Sequence, residues 1–257
     1  MSAAQLAAVM SSLGGMLWAL GRVGGFCMVA PIFSATVIPK RVRAAIAVLL
    51  TFVLAPLAPA QHVDLLSGSG VATMVVQVLI GSSVGFVLQM VFQAVSYGGI
   101  LIGQSMGLGF AEMINPTSGG SVPVLGQFYL VLVTLLFLAM DGHLQVIALL
   151  ADSFHTLPPG TDGVSENTLF AVAAAGGDLF SGALRVALPA MTALLLVNIG
   201  FAATSRASPA MNLFAVGFPI SICMGFIALW LALRGLAGAY SALQATGWTL
   251  MKHLVGS

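Results

Sequence analysis

Helix-length apolar runs follow one another along this chain, separated by short polar breaks. The first covers about Ala4 to Ala30 and stops at Pro31. The second runs from Ala44 to Leu57 and is cut at Pro56 and Pro59, before a polar loop from Gln61 to Gly70 that ends in Ser67-Gly68-Ser69-Gly70. A third extends without a single charge from Val71 to about Gly107, and a fourth runs from Val124 to about Leu150. After a loop from Asp152 to Asn167, a hairpin closes the chain, with arms Thr168 to about Ala203 and Ala210 to about Lys252 and a turn at Ser205-Arg206-Ala207-Ser208-Pro209. Pro189 and Pro219 lie inside those arms and are expected to kink them. The pattern predicts an all-α, polytopic membrane protein of long kinked helices and helical hairpins, with six apolar segments counted as spans.

Composition supports that class. Of 257 residues, 59% are hydrophobic and 6% charged, whereas a soluble domain carries about 25% charged residues and cannot hide so much apolar surface. Net charge is +1, with no basic run or aromatic ladder, so nothing points to nucleic acid. The first positive residue is Arg22, so the short basic start of a cleavable signal is missing and the first segment is expected to be retained. The two cysteines, Cys27 and Cys223, both fall in apolar segments and are expected to be buried thiols.

Two features strain a simple bundle. As one straight helix the third segment would measure roughly 55 Å against about 30 Å of hydrocarbon. It must kink, break near Ser96-Tyr97-Gly98-Gly99, or project beyond the bilayer against protein. Arg22 lies inside the first segment, where an arginine costs about 2.5–3.5 kcal/mol unless it snorkels or pairs; snorkelling is the expected solution.

The stretch from Gly98 to Leu125 organises the rest. Gly99, Gly103 and Gly107 repeat at four-residue steps, so another helix can approach that stripe at backbone distance. Beyond it Gly107, Gly109, Asn115-Pro116, Gly119-Gly120 and Pro123 cannot share one helix. This break carries Met106, Leu108, Phe110, Met113 and Ile114 with one acid, Glu112. Lipid cannot solvate irregular backbone, so the loop lies in water or inside protein. Its apolar content suits a protein-enclosed constriction, an ordinary interhelical loop being the alternative.

Lys40, Arg41 and Arg43 form the only basic cluster. With Arg206 they fall in odd-numbered loops, while only Lys252, with Asp64, Asp152, Asp162 and Glu166, falls on the other side; the positive-inside rule then places the cluster in the cytoplasm and both termini outside.

No catalytic or metal-binding pattern survives inspection. Gly81-Ser82-Ser83-Val84-Gly85 matches G-x-S-x-G, but a nucleophile elbow needs a strand and sharp turn; here the residues interrupt a helical run and read as small-residue packing. Asp141-Gly142-His143 reads as a turn or kink satisfied by hydrogen bonds, since no further ligands accompany it. No nucleotide-binding motif occurs, and no cofactor is expected. Glu112, and after it Asp141, are the candidates for ion coupling. A secondary transporter would also need paired broken helices, and only one broken element is present.

Several landmarks together resemble a known family: Arg22-Val23-Gly24-Gly25, Ala30-Pro31-Ile32-Phe33-Ser34, Ile38-Pro39-Lys40-Arg41-Val42-Arg43, Gly103-Gln104-Ser105-Met106-Gly107-Leu108, Asn115-Pro116, Gly142-His143, Ser153-Phe154-His155-Thr156-Leu157-Pro158 and Val216-Gly217-Phe218-Pro219. In this order and spacing they resemble the FliR family of flagellar export-gate proteins, whose injectisome counterpart is the SctT type. The resemblance implies a non-enzymatic subunit of a helical hetero-oligomer with FliP and FliQ homologues, in contact with membrane lipid and an FlhB-type switch protein. Such an assembly would pass unfolded exported proteins across the bacterial inner membrane at the flagellar basal body. It further implies a FliP-like part over residues 1–165, a FliQ-like hairpin over 166–257, and a plug over 106–123. The plug would place Met106, Gly107, Gly109, Phe110, Glu112, Met113, Ile114, Asn115 and Pro116 at the closed constriction.

Overall fold

The computed structural model describes residues 3–35, 38–58, 67–109, 123–160, 166–207 and 213–256. Every regular element among them is helical: α1 (Ala3–Val29), α2 (Lys40–Leu54) with a 3-10 turn at Ala55–Leu57, α3 (Gly68–Ser105), α4 (Val124–Ala139), α5 (Gly142–Thr156), α6 (Glu166–Ala174), α7 (Gly176–Ala207) and α8 (Leu213–Leu254). Three of these stretches, Gly68–Ser105, Phe170–Thr204 and Gly217–Leu254, are long and apolar enough to cross a membrane, and α4 with α5 makes a fourth if the broken pair counts as one. The count of six spans does not carry over helix by helix. Helix α2 has 15 residues, about 22 Å at 1.5 Å per residue, which is short of the roughly 30 Å of hydrocarbon.

The helices sort into two compact units, one formed by residues 1–90, 137–176 and 246–257, the other by 91–136 and 177–245. In the first, α1 and the start of α3 approach through glycine on both sides. A Cβ on Gly25 would stand 2.5 Å from the carbonyl oxygen of Val78, and one on Gly85 would stand 3.0 Å from that of Phe26. At Gly81 a Cβ would collide with the carbonyl of Arg22. The G-x-S-x-G match is therefore part of a helix crossing, with backbones in contact as small residues allow.

In the second unit, the end of α3 meets α4 and α7. Gly98 faces Ala183 and Val186, Gly99 faces Leu125 and Tyr129, and Ser96 Oγ donates to the carbonyl of Gly126 at 3.0 Å. This explains why α3 does not break at Ser96–Gly99, one of the three outcomes its length allowed. The small residues there admit neighbouring helices, and an unbroken helix keeps every backbone group paired in an apolar setting. All 38 residues of α3 form one helix, so the excess length must be taken up by tilt or projection.

Other boundaries also differ from the sequence reading. Ser67-Gly68-Ser69-Gly70 starts α3, with Ser67 Oγ accepting from the backbone N–H of Gly70 at 3.1 Å as an N-cap does. Lys40, Arg41 and Arg43 lie in the first turn of α2, directly after Pro39. Positive charge there opposes the helix dipole, and Arg43 offsets it by donating to the carbonyls of Ser34 and Ala35 at 3.0 and 3.1 Å. Asp152 to Thr156 is the last turn of α5, so the polar connection is shorter than expected. The first hairpin arm is interrupted at Ala175, and Ser205 to Ala207 remain helical. Cys27 is buried, but Cys223 is exposed, contrary to expectation; both are free thiols.

Candidate functional site

Helix α3 ends in a defined structure. Gly107 has φ 82°, a left-handed conformation that costs glycine little. Its N–H donates to the carbonyl of Gln104 at 3.0 Å, and the N–H of Leu108 reaches back to that of Gly103 at 3.1 Å. This pair of bonds is a Schellman motif, which stops a helix while satisfying its last carbonyls. Gly107 thus terminates the helix and does not extend the packing stripe of Gly99 and Gly103.

The stripe itself receives the start of α4. A Cβ on Gly99 would lie 2.6 Å from the carbonyl oxygen of Leu125, and one on Gly103 would lie 3.5 Å from the Leu125 side chain. Since α4 begins at Val124, the points where the chain leaves α3 and where it returns are held beside one another. Met106, the last residue before the turn, is fully buried. Its side chain lies on Gly225 of α8: a Cβ there would come within 2.5 Å of Met106 Cγ, 2.6 Å of Cε and 2.9 Å of Sδ. Among the described residues, nothing lies within 4 Å of the Cβ position of Gly109. Phe110, Glu112, Met113, Ile114, Asn115 and Pro116 lie outside the described residues.

Arg22 does not snorkel. It is fully buried, and its guanidinium donates from Nε to Gln77 Oε1 at 2.8 Å and from Nη1 to Ser153 Oγ at 2.9 Å. The carbonyls of Ser153 and Leu157 accept from Nη1 and Nη2. The Phe154 ring lies 4.4 Å from the guanidinium carbon. One side chain therefore ties α1, α3 and the C-terminal end of α5, where the Ser153 carbonyl also accepts from the Leu157 N–H at 3.0 Å and positive charge is welcome. Five donors in a rigid fork suit this role better than an ammonium would. Sequence reasoning missed the knot: it assigned Ser153 to the loop after the fourth segment, and the structure places that residue in the last turn of α5.

Asp141 marks the break between α4 and α5. It has φ 55° and makes no side-chain cap; the turn is closed by its N–H donating to Leu138, its carbonyl accepting from Leu144 and Gln145, and Gln145 Nε2 donating to the carbonyl of Met140 at 3.1 Å. Gly142 is needed because a Cβ would stand 2.5 Å from the Phe137 ring. His143 Nδ1 is buried without a hydrogen-bond partner. Among the described residues, no group of three or more His, Cys, Asp or Glu side chains comes together to hold a metal ion.

Residues 13–246 match the family described as Bacterial export proteins, family 1. The chain is 40% identical over 223 residues to the flagellar biosynthetic protein FliR of Escherichia coli (strain K12), covering 87% of this chain and 85% of that one. It is 39% identical over 216 residues to FliR of Pectobacterium carotovorum subsp. carotovorum, with 84% and 83% covered. Its identity to FliR of Caulobacter vibrioides is 32% over 220 residues, with 84% and 87% covered.

Proposed function

The chain belongs to the FliR family of bacterial export proteins, and from that membership we propose that it is a non-enzymatic core subunit of the flagellar type III export gate. It assembles with FliP- and FliQ-type subunits in the bacterial inner membrane at the basal body, beside an FlhB-type switch protein. The assembly is the passage for unfolded flagellar proteins. The observation that carries this reading is 40% identity to a FliR protein over 87% of the chain. A buried arginine, an over-long α3 and many large apolar side chains left exposed on α7 and α8 support a subunit built to be surrounded by others. The FliP-like part is residues 1–165 and the FliQ-like hairpin 166–257.

Within the assembly, the loop spanning 106–123 closes the passage. Its chemistry supports this: Phe110, Met113 and Ile114 make a soft apolar seal, and flanking glycines let the chain swing aside. Replacing Phe110–Pro116 with a short Gly/Ser linker should make cells leak small ions and dyes. Permeability at the parental level in cells that still assemble the complex would rule the plug out. Export-gate membership is tested separately: the chain should co-purify as a large hetero-oligomer, whereas a monomer binding a small solute would indicate a transporter.

A further inference from the structure

The base of the loop is held by more than α4. Among residues 217–227 of α8, Gly225 is the one buried residue, while Cys223, Met224, Phe226 and Ile227 on either side are exposed. The same stretch touches α7 through Ser221, whose Oγ donates to Asn198 Oδ1 at 3.4 Å, and Ala228 and Leu229 just beyond it are buried. Met106 fills the space at Gly225, with three of its side-chain atoms within 3 Å of where a Cβ would be. Directly after Met106 the chain turns through Gly107 and leaves α3.

We propose that Gly225 is a positioning residue: by seating Met106 it fixes the direction in which the chain leaves α3, and so couples the C-terminal hairpin to the closed state. The inference rests on the plug reading above. Three contacts make the coupling physical. Leu125 on Gly99 and Gly103 pins the returning strand of chain to α3, the Schellman bonds lock the turn, and the Met106–Gly225 seat sets where the turn stands against α8. The first two lie within α3 and α4; the hairpin also packs on α3 where Gly98 faces Ala183 and Val186, but the third contact joins it directly to the turn. A methionine on a bare backbone is suited to this, since an unbranched, polarizable side chain slides over a surface with no Cβ and re-packs at small cost. Any larger residue at 225 must displace Met106, because dense packing leaves no void to absorb it.

The test compares Gly225→Val, Met106→Ala and the double variant, whose changes in side-chain size offset one another. Ion or dye leak is measured in cells and normalised to the amount of chain in purified export complexes. Gly225→Val should raise leak about tenfold, as expected when overpacking weakens a closed state. Met106→Ala should leak in the same direction, and the double variant should return towards the parental level. If Gly225→Val fails to assemble, Met106→Ala decides: leak supports the seat, and parental tightness overturns it. An assembled Gly225→Val complex as tight as the parent, or a double variant as leaky as the valine single, also overturns it. Leak from the Phe110–Pro116 replacement without leak from these variants rejects the seat alone. Parental tightness in all of them rejects the plug itself.

Discussion

Arg22 Nε donates to Gln77 Oε1 at 2.8 Å, so the only charge of the first apolar helix is answered by an amide on the third. Among the described residues no carboxylate pairs with this arginine; it is held by one amide, one hydroxyl and two carbonyls at a helix end. Hydrogen bonds to a charged group contribute about 1.5–3 kcal/mol each, and a buried acceptor left without its donor costs about 1–3 kcal/mol. Arg22→Leu should therefore lower stability by on the order of 3 kcal/mol or more, and Gln77→Leu by about half as much. Arg22→Lys should fall between them, because an ammonium cannot span the same acceptors. The thermal midpoint of the detergent-solubilised complex reads the order; equal midpoints for Arg22→Leu and the parent would show that the knot ties nothing.

Two adjacent glycines in α1 should respond oppositely. A Cβ at Gly24 meets nothing within 4 Å, whereas one at Gly25 meets the Val78 carbonyl at 2.5 Å. Gly24→Ala should be neutral or gain up to about 1 kcal/mol from helix propensity. Gly25→Ala should lose about 1–3 kcal/mol by forcing α1 off α3. Thermal melts of both variants, run side by side, check the sign of each.

Asp141 is the one described non-glycine residue with positive φ. Its side chain makes no cap bond, so Asp141→Gly removes strain without removing a contact and should be as stable as the parent or up to about 1 kcal/mol more so. Asp141→Val should cost about 1–2 kcal/mol. Swimming-halo assays add a functional arm. A motile Asp141→Gly strain fits a kink, while loss of export with intact assembly would point to a carboxylate that moves protons.

At the end of α3, Gly107 and Gly109 should separate in the same way. Gly107→Val forces a β-branched residue to φ near 82° and should cost about 1–2 kcal/mol while unwinding the Schellman turn. Gly109→Ala meets no atom of the described residues within 4 Å and should leave assembly unchanged. Export-complex yield, normalised to synthesis of the chain, distinguishes them.

Much of the architecture was legible before any coordinates. Long uncharged runs demand helices, because only a helix pairs every backbone group within its own segment. The failure of that pattern after Gly107 placed the end of α3, since glycine and proline act locally on φ and on donors. Identity was legible as well, because landmarks scattered over the full length agree in order. What stayed hidden was pairwise. Nothing in Ser96-Tyr97-Gly98-Gly99 says whether small residues bend a helix or admit a neighbour, and the answer lies in Leu125, Tyr129, Ala183 and Val186, which are remote in sequence.

By itself, then, the sequence determined the helical class, the membrane setting, the family and the place where α3 stops, all properties of local backbone chemistry and apolar content. Only the tertiary structure decided that Arg22 is buried against Gln77 and Ser153, and that Gly225 receives Met106. Both depend on which helix faces bring residues 55 and 131 positions apart, or a glycine and a distant methionine, into contact. An arginine reads the same along the chain whether it reaches for headgroups or for a carbonyl; its neighbours in space make the choice.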